Sequence, residues 1–474
     1  MIRAGAATRE ALLRDPGRVV LYDIAGRAST AGELVSRVDQ LAGAILESGR
    51  ATEPIGLWYR NSLAALEAFL AVEWVGGTRI AVDPNAQPAE ARATFEAANA
   101  GLILVDAAHA ALMRDLATIH DNDTPWFGKA CWPSLDVPPT KTLNLYPRAV
   151  NNGKLFAIPF SYGNWTAIMQ TNVALYQAGA FGEWQEDNEC FLAAQQIMHA
   201  TSFVGTFPFL LMGRPQVLVD DFVGERVVDA IERHRVTSTM LVPQMLLRLV
   251  ASAEARPAAV SSLRHVLYGG GPVHADDIRR ALRCLGPSLS QVYGRMEGGW
   301  PISVLGIDAH RAILDGDDRI AQSCGRPIQQ VAIRLRPVAG FALDSGELCV
   351  AGAMTVAEYA GADGYCSLGD IMERDAQGYL FYRGRLDRMI NTGYHIYPAE
   401  IEEIIAGVAG VAQARVVGEP SREWGETVVA YVVATDPPSA VGLLERLKRE
   451  LLARLAHYKI PREFRLVDAL PELP

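Results

Sequence analysis

The chain has 474 residues, half of them apolar, enough to bury a large core and to hold two or three structural units. Its net charge of −10, with no run of lysine or arginine, excludes a nucleic-acid backbone as partner. The six cysteines (Cys131, Cys190, Cys284, Cys324, Cys349 and Cys366) are scattered with no C-x-x-C or His-rich spacing. That argues against a disulfide framework or a zinc site and leaves buried free thiols in a reducing compartment.

Arg9, Glu10, Arg14 and Asp15 interrupt the N-terminus, which does not read as a signal peptide, and the most apolar run, 203–213, is too short to span a bilayer. A soluble, cytoplasmic protein without membrane association is expected. Leu34, Val38, Leu41, Ala42 and Ile45 form one helical stripe, followed by a strand at 55–59. A helix over 64–75 ends at Gly76–Gly77, and strands are expected at 79–82 and 102–105, the first running into a turn at Asp83–Pro84. Helix and strand in alternation predict an α/β fold, a parallel or mixed sheet covered on both faces. Residues 126–154, rich in Pro and Asn, read as a long connection.

A second α/β stretch begins near Leu155. It has a helix over 226–235, a strand over 236–241 and another helix starting at Val242–Pro243. A strand at 265–268 ends in Gly269–Gly270–Gly271–Pro272, with a helix from about Asp276. Such glycines let a flat ligand approach the backbone at the carboxyl edge of a sheet, or simply make a turn. A strand at 289–293 ends in Gly294, and 323–382 breaks into short strands and turns, a small β-rich unit. After Gly384–Arg385–Leu386–Asp387 come a glycine turn at Gly393 and a helix opened by Pro398. Glu400, Glu402 and Glu403 suit that helix's positive end, and Ile401, Ile404, Ile405 and Val408 give it one apolar face. The charges Arg383, Arg385, Asp387 and Arg388 read as a solvated joint between two units, or as a surface loop within one. Strands at 414–417 and 428–433 and a helix bearing Leu444, Leu447, Leu451 and Leu455 suffice for a small α/β lid. There is no internal repeat and no low-complexity segment.

The stretch 363–403 resembles the signature region of the adenylate-forming superfamily, which holds acyl-CoA synthetases, nonribosomal adenylation domains and luciferases. The resemblance implies that Asp370 holds ribose hydroxyls, that Tyr382 packs near adenine, and that Arg385 reaches ribose or phosphate. Asp387 stands at the family's hinge, which divides the chain into a large domain over 1–384, a hinge at 385–387 and a mobile lid over 388–474. The setting of Gly269–Pro272, SSLRHVLYGGGPV, resembles the adenine-binding segment. QVYGRMEGG resembles the Tyr-Gly-x-Thr-Glu motif, which would stack Tyr293, beside Gly294, on adenine and give Glu297 the metal that accompanies a triphosphate. His199 matches in place the His that many members carry between carboxylate pocket and thiol tunnel, although a lone His in an apolar context also serves structure. The family's glycine loop, here Gly393, lines the pantetheine tunnel.

Three departures narrow that picture. Met296 stands where the family has a Thr on the α-phosphate, and a thioether cannot donate a hydrogen bond. The stretch 155–175, LFAIPFSYGNWTAIMQTNVAL, keeps only Ser161 and Gly163 of the family's Ser/Thr/Gly-rich loop ending in Pro-Lys-Gly, and Lys154 reads as a surface residue. The sequence ends Leu470–Pro471–Glu472–Leu473–Pro474, without the Gly-Lys whose lysine serves adenylation in the family. ATP brings about four negative charges and needs cationic grips where pyrophosphate leaves; an acyl-adenylate carries one phosphate.

The leading expectation is an acyl-CoA ligase-like enzyme that forms a thioester from a pre-made acyl-adenylate and coenzyme A, with adenylation lost or strongly impaired and no resident metal. It would bind the AMP moiety and take a small carboxylic acid, as its adenylate, from an adenylating partner enzyme. Two alternatives stay open. One is a complete ATP- and Mg-dependent ligase with substitute phosphate-binding residues; the other is a non-catalytic relative that binds an adenylate or a partner. Small residues at Ala200, Gly270, Gly271, Gly298 and Gly299 leave room for a bulky apolar acid, or serve turns.

Overall fold

The computed structural model describes residues 1–113, 118–119, 129–151, 154–338, 341, 344–386, 389–435 and 442–471. Asp387, the expected hinge residue, lies outside them, as does Arg388.

The first α/β unit forms as its pattern demands. Thr30 and Glu33 make a reciprocal capping box at the start of helix Ala31–Glu47, and Ser62 caps helix Leu63–Trp74. The second helix is apolar but for Glu67 and Glu73 and is almost wholly buried. Strand Pro54–Trp58 runs parallel to Thr78–Ala81 and Leu102–Val105 at the centre of a six-stranded sheet.

The expected long connection is corrected here. Thr142–Asn151 is a strand that joins this sheet parallel to Thr78–Ala81, and it pairs antiparallel with Lys154–Ser161 at the sheet's edge. Asn151 and Lys154 are partners in this pairing. Pro147 and Pro159 are tolerated because the pairing is irregular at Phe156/Ala157 and the second strand is an edge. Buried Asn144 is held by Arg79, so polar residues that read as loop are interior partners.

A nine-stranded sheet carries the second unit, with Phe191–Ala193, Ser238–Leu241, His265–Gly269 and Leu289–Arg295 parallel at its centre. The β-rich unit is a four-stranded antiparallel sheet in chain order, Ala332–Arg336, Ser345–Ala351, Cys366–Arg374 and Leu380–Arg385. Beyond it, residues from Ile390 onward build a separate core around Ile396, Ile401, Val416, Val432, Leu447 and Leu451. Strand Val411–Ser421 there is longer than expected, running through Gly418 and Pro420 in a full ladder with Gly425–Ala434.

The last unit is tied to the first by buried charge. Lys459 Nζ lies 2.6 Å from Glu90 and 3.1 Å from Glu400, and Glu90 also accepts the Ala456 N–H at 2.8 Å. All six cysteines are free. Among the described residues no helix is long and apolar enough to cross a membrane.

Candidate active site between the two units

Three of the expected nucleoside-binding residues converge. Asp370 and Arg385 face each other across the antiparallel ladder of the β-rich unit. The Asp370 carboxylate, 2 % exposed, pairs through one oxygen with Arg385 and through the other accepts the Tyr293 hydroxyl at 2.5 Å. Burial and the neighbouring Asp370 charge hold the Tyr293 phenol well above its ordinary pKa, so it remains a donor. Arg295, two residues further along, places Nε 3.8 Å from Asp370 and 4.0 Å from Glu297. Tyr382 sits apart, 47 % exposed, opposite Met372 in the ladder.

The glycines divide by role. A Cβ on Gly269 would lie 2.2 Å from the Val292 carbonyl oxygen, and one on Gly294 would lie 2.7 Å from the Trp300 ring. Both glycines let strands and side chains close up. Gly270 (φ +88°) adopts the left-handed backbone that a turn requires, and a Cβ on Gly271 would make ordinary contact with the Pro243 ring at 3.5 Å. Pro272 packs on the last unit, since a Cβ on Gly425 would come 3.0 Å from its ring. Gly269→Ala should therefore cost about 1–3 kcal/mol of stability while leaving AMP affinity of the folded protein unchanged. A denaturant midpoint and a binding isotherm on the same sample check this.

Ser161 and Gly163 are not remnants of a phosphate loop. Ser161 ends an edge strand and caps helix Tyr162–Gln177 by accepting the Asn164 N–H at 3.1 Å, while Gly163 packs against the Pro139 carbonyl. Strand passes into helix with no loop between them. Lys154 is exposed, as expected, but as the first residue of its strand.

Two features were not legible in the sequence. The first is Arg148, on strand Thr142–Asn151, which forms an ion pair with Glu297, itself 6 % exposed. Its guanidinium also lies 5.2 Å from the Tyr397 ring and 5.7 Å from the Tyr359 ring. The second is Asp83, at the carboxyl end of strand Thr78–Ala81, whose carboxylate lies 3.3 Å from His199 Nε2. Burial by itself would raise the Asp83 carboxyl, but the close approach and charge of His199 and the Asn85 N–H outweigh it, leaving it below its ordinary value. The turn signal Asp83–Pro84 marked the place, but nothing in the chain announced a partner 116 residues away.

His199 and the Gly393 hairpin meet across the unit boundary. Gly393 (φ +85°) lies between strands Ile390–Asn391 and His395–Ile396, and a Cβ there would meet nothing within 4 Å. Its neighbour Tyr394 meets the His199 ring edge-on at 5.6 Å and stacks on Tyr458 at 4.3 Å. A cavity of about 690 Å³ is lined by Asp83, His199, Gly270, Met296, Trp300, Arg148, Gly393 and His395. Burial, then the charges of Arg295, Arg385, Arg148 and His199, hold the His395 imidazole well below its ordinary pKa and so neutral. On the other side of the hairpin a second cavity of about 520 Å³ reaches Gly271, Arg248, Trp424 and Arg462. Tyr293, Asp370, Tyr382 and Arg385 line neither.

Comparisons with known proteins agree with this architecture. The medium/long-chain-fatty-acid–CoA ligase FadD8 of Mycobacterium tuberculosis is 29 % identical over 358 residues, which is 71 % of this chain and 60 % of that protein. The match thus spans about three-fifths of that relative's length. A double mutant of the o-succinylbenzoate CoA synthetase MenE from Bacillus subtilis, bound to a product analogue, superposes with a TM-score of 0.84 at 23 % identity, covering 98 % of this chain and 95 % of that one. The same synthetase in complex with its acyl-adenylate intermediate gives 0.70 at 23 % identity, over 99 % and 96 %. Residues 8–360 match the AMP-binding enzyme family and residues 400–473 its C-terminal domain, and the chain accordingly belongs to this adenylate-forming superfamily.

Proposed function

We propose that the protein forms a thioester from a pre-made acyl-adenylate and the pantetheine thiol of coenzyme A, and that it no longer adenylates the acid itself. The observation that carries this reading is the shared cavity. His199, oriented by Asp83, faces the Gly393 hairpin of the other unit there, as thiol transfer needs. One further feature supports it: the strand pair Thr142–Asn151 and Lys154–Ser161 runs into a capped helix where the resemblance places a phosphate-wrapping loop.

The chemistry follows from the geometry. Asp83 Oδ2 lies 3.3 Å from His199 Nε2 without a hydrogen bond among the described residues, and closing that contact in the working complex would let Nε2–H donate to the carboxylate and leave Nδ1 with its lone pair. A thiol of pKa near 8.5 is only a few per cent ionised at neutral pH, and Nδ1 takes its proton. The sulfur forms a bond to the acyl carbon, the acyl C–O bond to phosphate breaks, and AMP leaves with that electron pair. Asp83 stabilises the imidazolium so formed, and His199 then releases the proton to solvent. Asp370, Arg385 and Tyr293 hold the nucleoside end, Tyr382 flanks it, and Asp387 serves as the hinge. The acid arrives as its adenylate from an adenylating partner enzyme.

The test is turnover in two mixtures. Synthetic acyl-adenylate with CoA should yield thioester, whereas free acid, ATP, Mg²⁺ and CoA should yield at least a hundredfold less by the same assay. Comparable rates in both, or product only in the second, would sink the proposal. The name of the fatty-acid–CoA ligase relative favours a complete ATP-dependent ligase as second reading, and ATP–pyrophosphate exchange would reveal it.

A further inference from the structure

The resemblance implies a divalent cation on Glu297, and the residues present do not fit one. Glu297 is buried and already forms an ion pair with Arg148, while Arg295 approaches its other oxygen at 4.0 Å. A dication there would displace one guanidinium and sit against a second at low dielectric, where like charges repel strongly. Among the described residues, no group of three or more His, Cys, Asp or Glu could hold a metal ion.

The same cluster is unfinished in a different sense. Among the described residues, the Nε atoms of Arg148 and Arg295 are both buried without a hydrogen-bond acceptor, and so is Glu297 Oε2 without a donor. Unfilled donors on charged groups are rare in interiors and mark a place for a missing acceptor. Both guanidiniums reach the same carboxylate, so they are neighbours, and Arg148 also lines the cavity that holds His199 and Met296. Of the five side chains Arg148, Arg295, Arg385, Glu297 and Asp370, three are cationic and two anionic. They carry one surplus positive charge, which matches the single negative charge of an acyl-adenylate phosphate and falls far short of a triphosphate.

We infer that Arg148 and Arg295 form a built-in, metal-free cradle for the one phosphate of the adenylate, with Arg148 standing where a divalent cation would otherwise serve. This rests on the adenylate reading given under Proposed function. Arg148 acts as a binding residue: its guanidinium offers planar, paired donors to phosphate oxygens and needs no recruited ion. Glu297 orients it and offsets its charge while the site is empty.

Calorimetric binding of AMP and of adenosine to the full chain tests the cradle without reading thioester formation. Arg148→Gln should weaken AMP by about ten- to a hundredfold, as expected for losing a charge-assisted contact, and leave adenosine within twofold. Arg148→Lys, which keeps the charge but loses the planar fork, should weaken AMP by a smaller factor, also without affecting adenosine. For the wild-type protein, AMP affinity should be the same within twofold in millimolar Mg²⁺ and in EDTA. An Arg148→Gln protein that binds AMP as tightly as wild type overturns the inference. So does equal loss of AMP and adenosine, which would make Arg148 a structural residue, or a tenfold gain in AMP affinity with Mg²⁺. If Arg148→Gln fails to fold, Arg148→Lys decides by the same AMP-to-adenosine ratio. Failure of thioester formation with this ratio as expected would count against the proposed function alone.

Discussion

Asp83→Asn should slow thioester formation from a pre-made acyl-adenylate by about 10²- to 10⁴-fold, the range over which a positioned acid–base group contributes. The carboxylate is placed to act through His199, 3.3 Å away. An amide there can present its N–H₂ to the ring and so favour the tautomer whose Nδ1 bears the proton, which removes the acceptor the thiol needs. His199→Ala should cost as much, and the double variant little more than either single one, because the two work as a unit. AMP affinity should stay within threefold in both. Rates within threefold of wild type for Asp83→Asn would remove the dyad from the mechanism.

The largest stability effect is expected at Lys459. Its ammonium, 8 % exposed, joins Glu90 of the first unit to Glu400 of the last. Burial by itself would lower its pKa, but the two carboxylates outweigh this and hold it above its ordinary value. The Glu400 carboxyl moves up because of its own burial, Lys459 only partly opposing, as expected where one cation serves two anions. Lys459→Met would leave two carboxylates buried together without a countercharge, a loss of about 3–5 kcal/mol. Replacing Glu90 and Glu400 by Gln in the same chain should restore most of it. Denaturant midpoints of the single and triple variants measure both effects, and a loss below about 1 kcal/mol for Lys459→Met would contradict the account. Because the lysine's folded pKa is raised, its contribution is complete at neutral pH and fades only as the pH climbs through that value, above 10.5.

What the sequence made legible was local. The turn pairs and the apolar faces around Ile401 and Leu447 are short-range signals, and the structure follows them. The cluster of Asp370, Arg385 and Tyr293 was legible through the family resemblance, and it forms because Asp370 and Arg385 oppose each other on one hairpin, fifteen residues apart. The hairpin over 142–161 was not. Pro147, Pro159 and Asn144 are loop residues by propensity, and only the edge position and an interior arginine make them strand residues. Arg148 disappeared with that misreading, since an arginine in a loop asks for no explanation. Asp83 was hidden for a different reason, being a non-local partner that no periodicity announces. Gly269 carries a packing constraint that the sequence did not show, since a Cβ there would meet the Val292 carbonyl.

The buried bridge at Lys459 has a consequence for how tightly a thiol is held. Domain rotation ordinarily levies a fraction on affinity, because an incoming ligand sees only those molecules already in the competent pose, and the apparent constant is the intrinsic one divided by that fraction. Here Lys459, the Gly425–Pro272 contact and the Gln244–Glu423 hydrogen bond at 3.3 Å keep the Gly393 hairpin beside His199 before any ligand arrives. We expect the competent population of the free protein therefore to be large, so that under the proposed function a thiol binds without a waiting step. Progress curves begun from adenylate-loaded protein should rise without a lag.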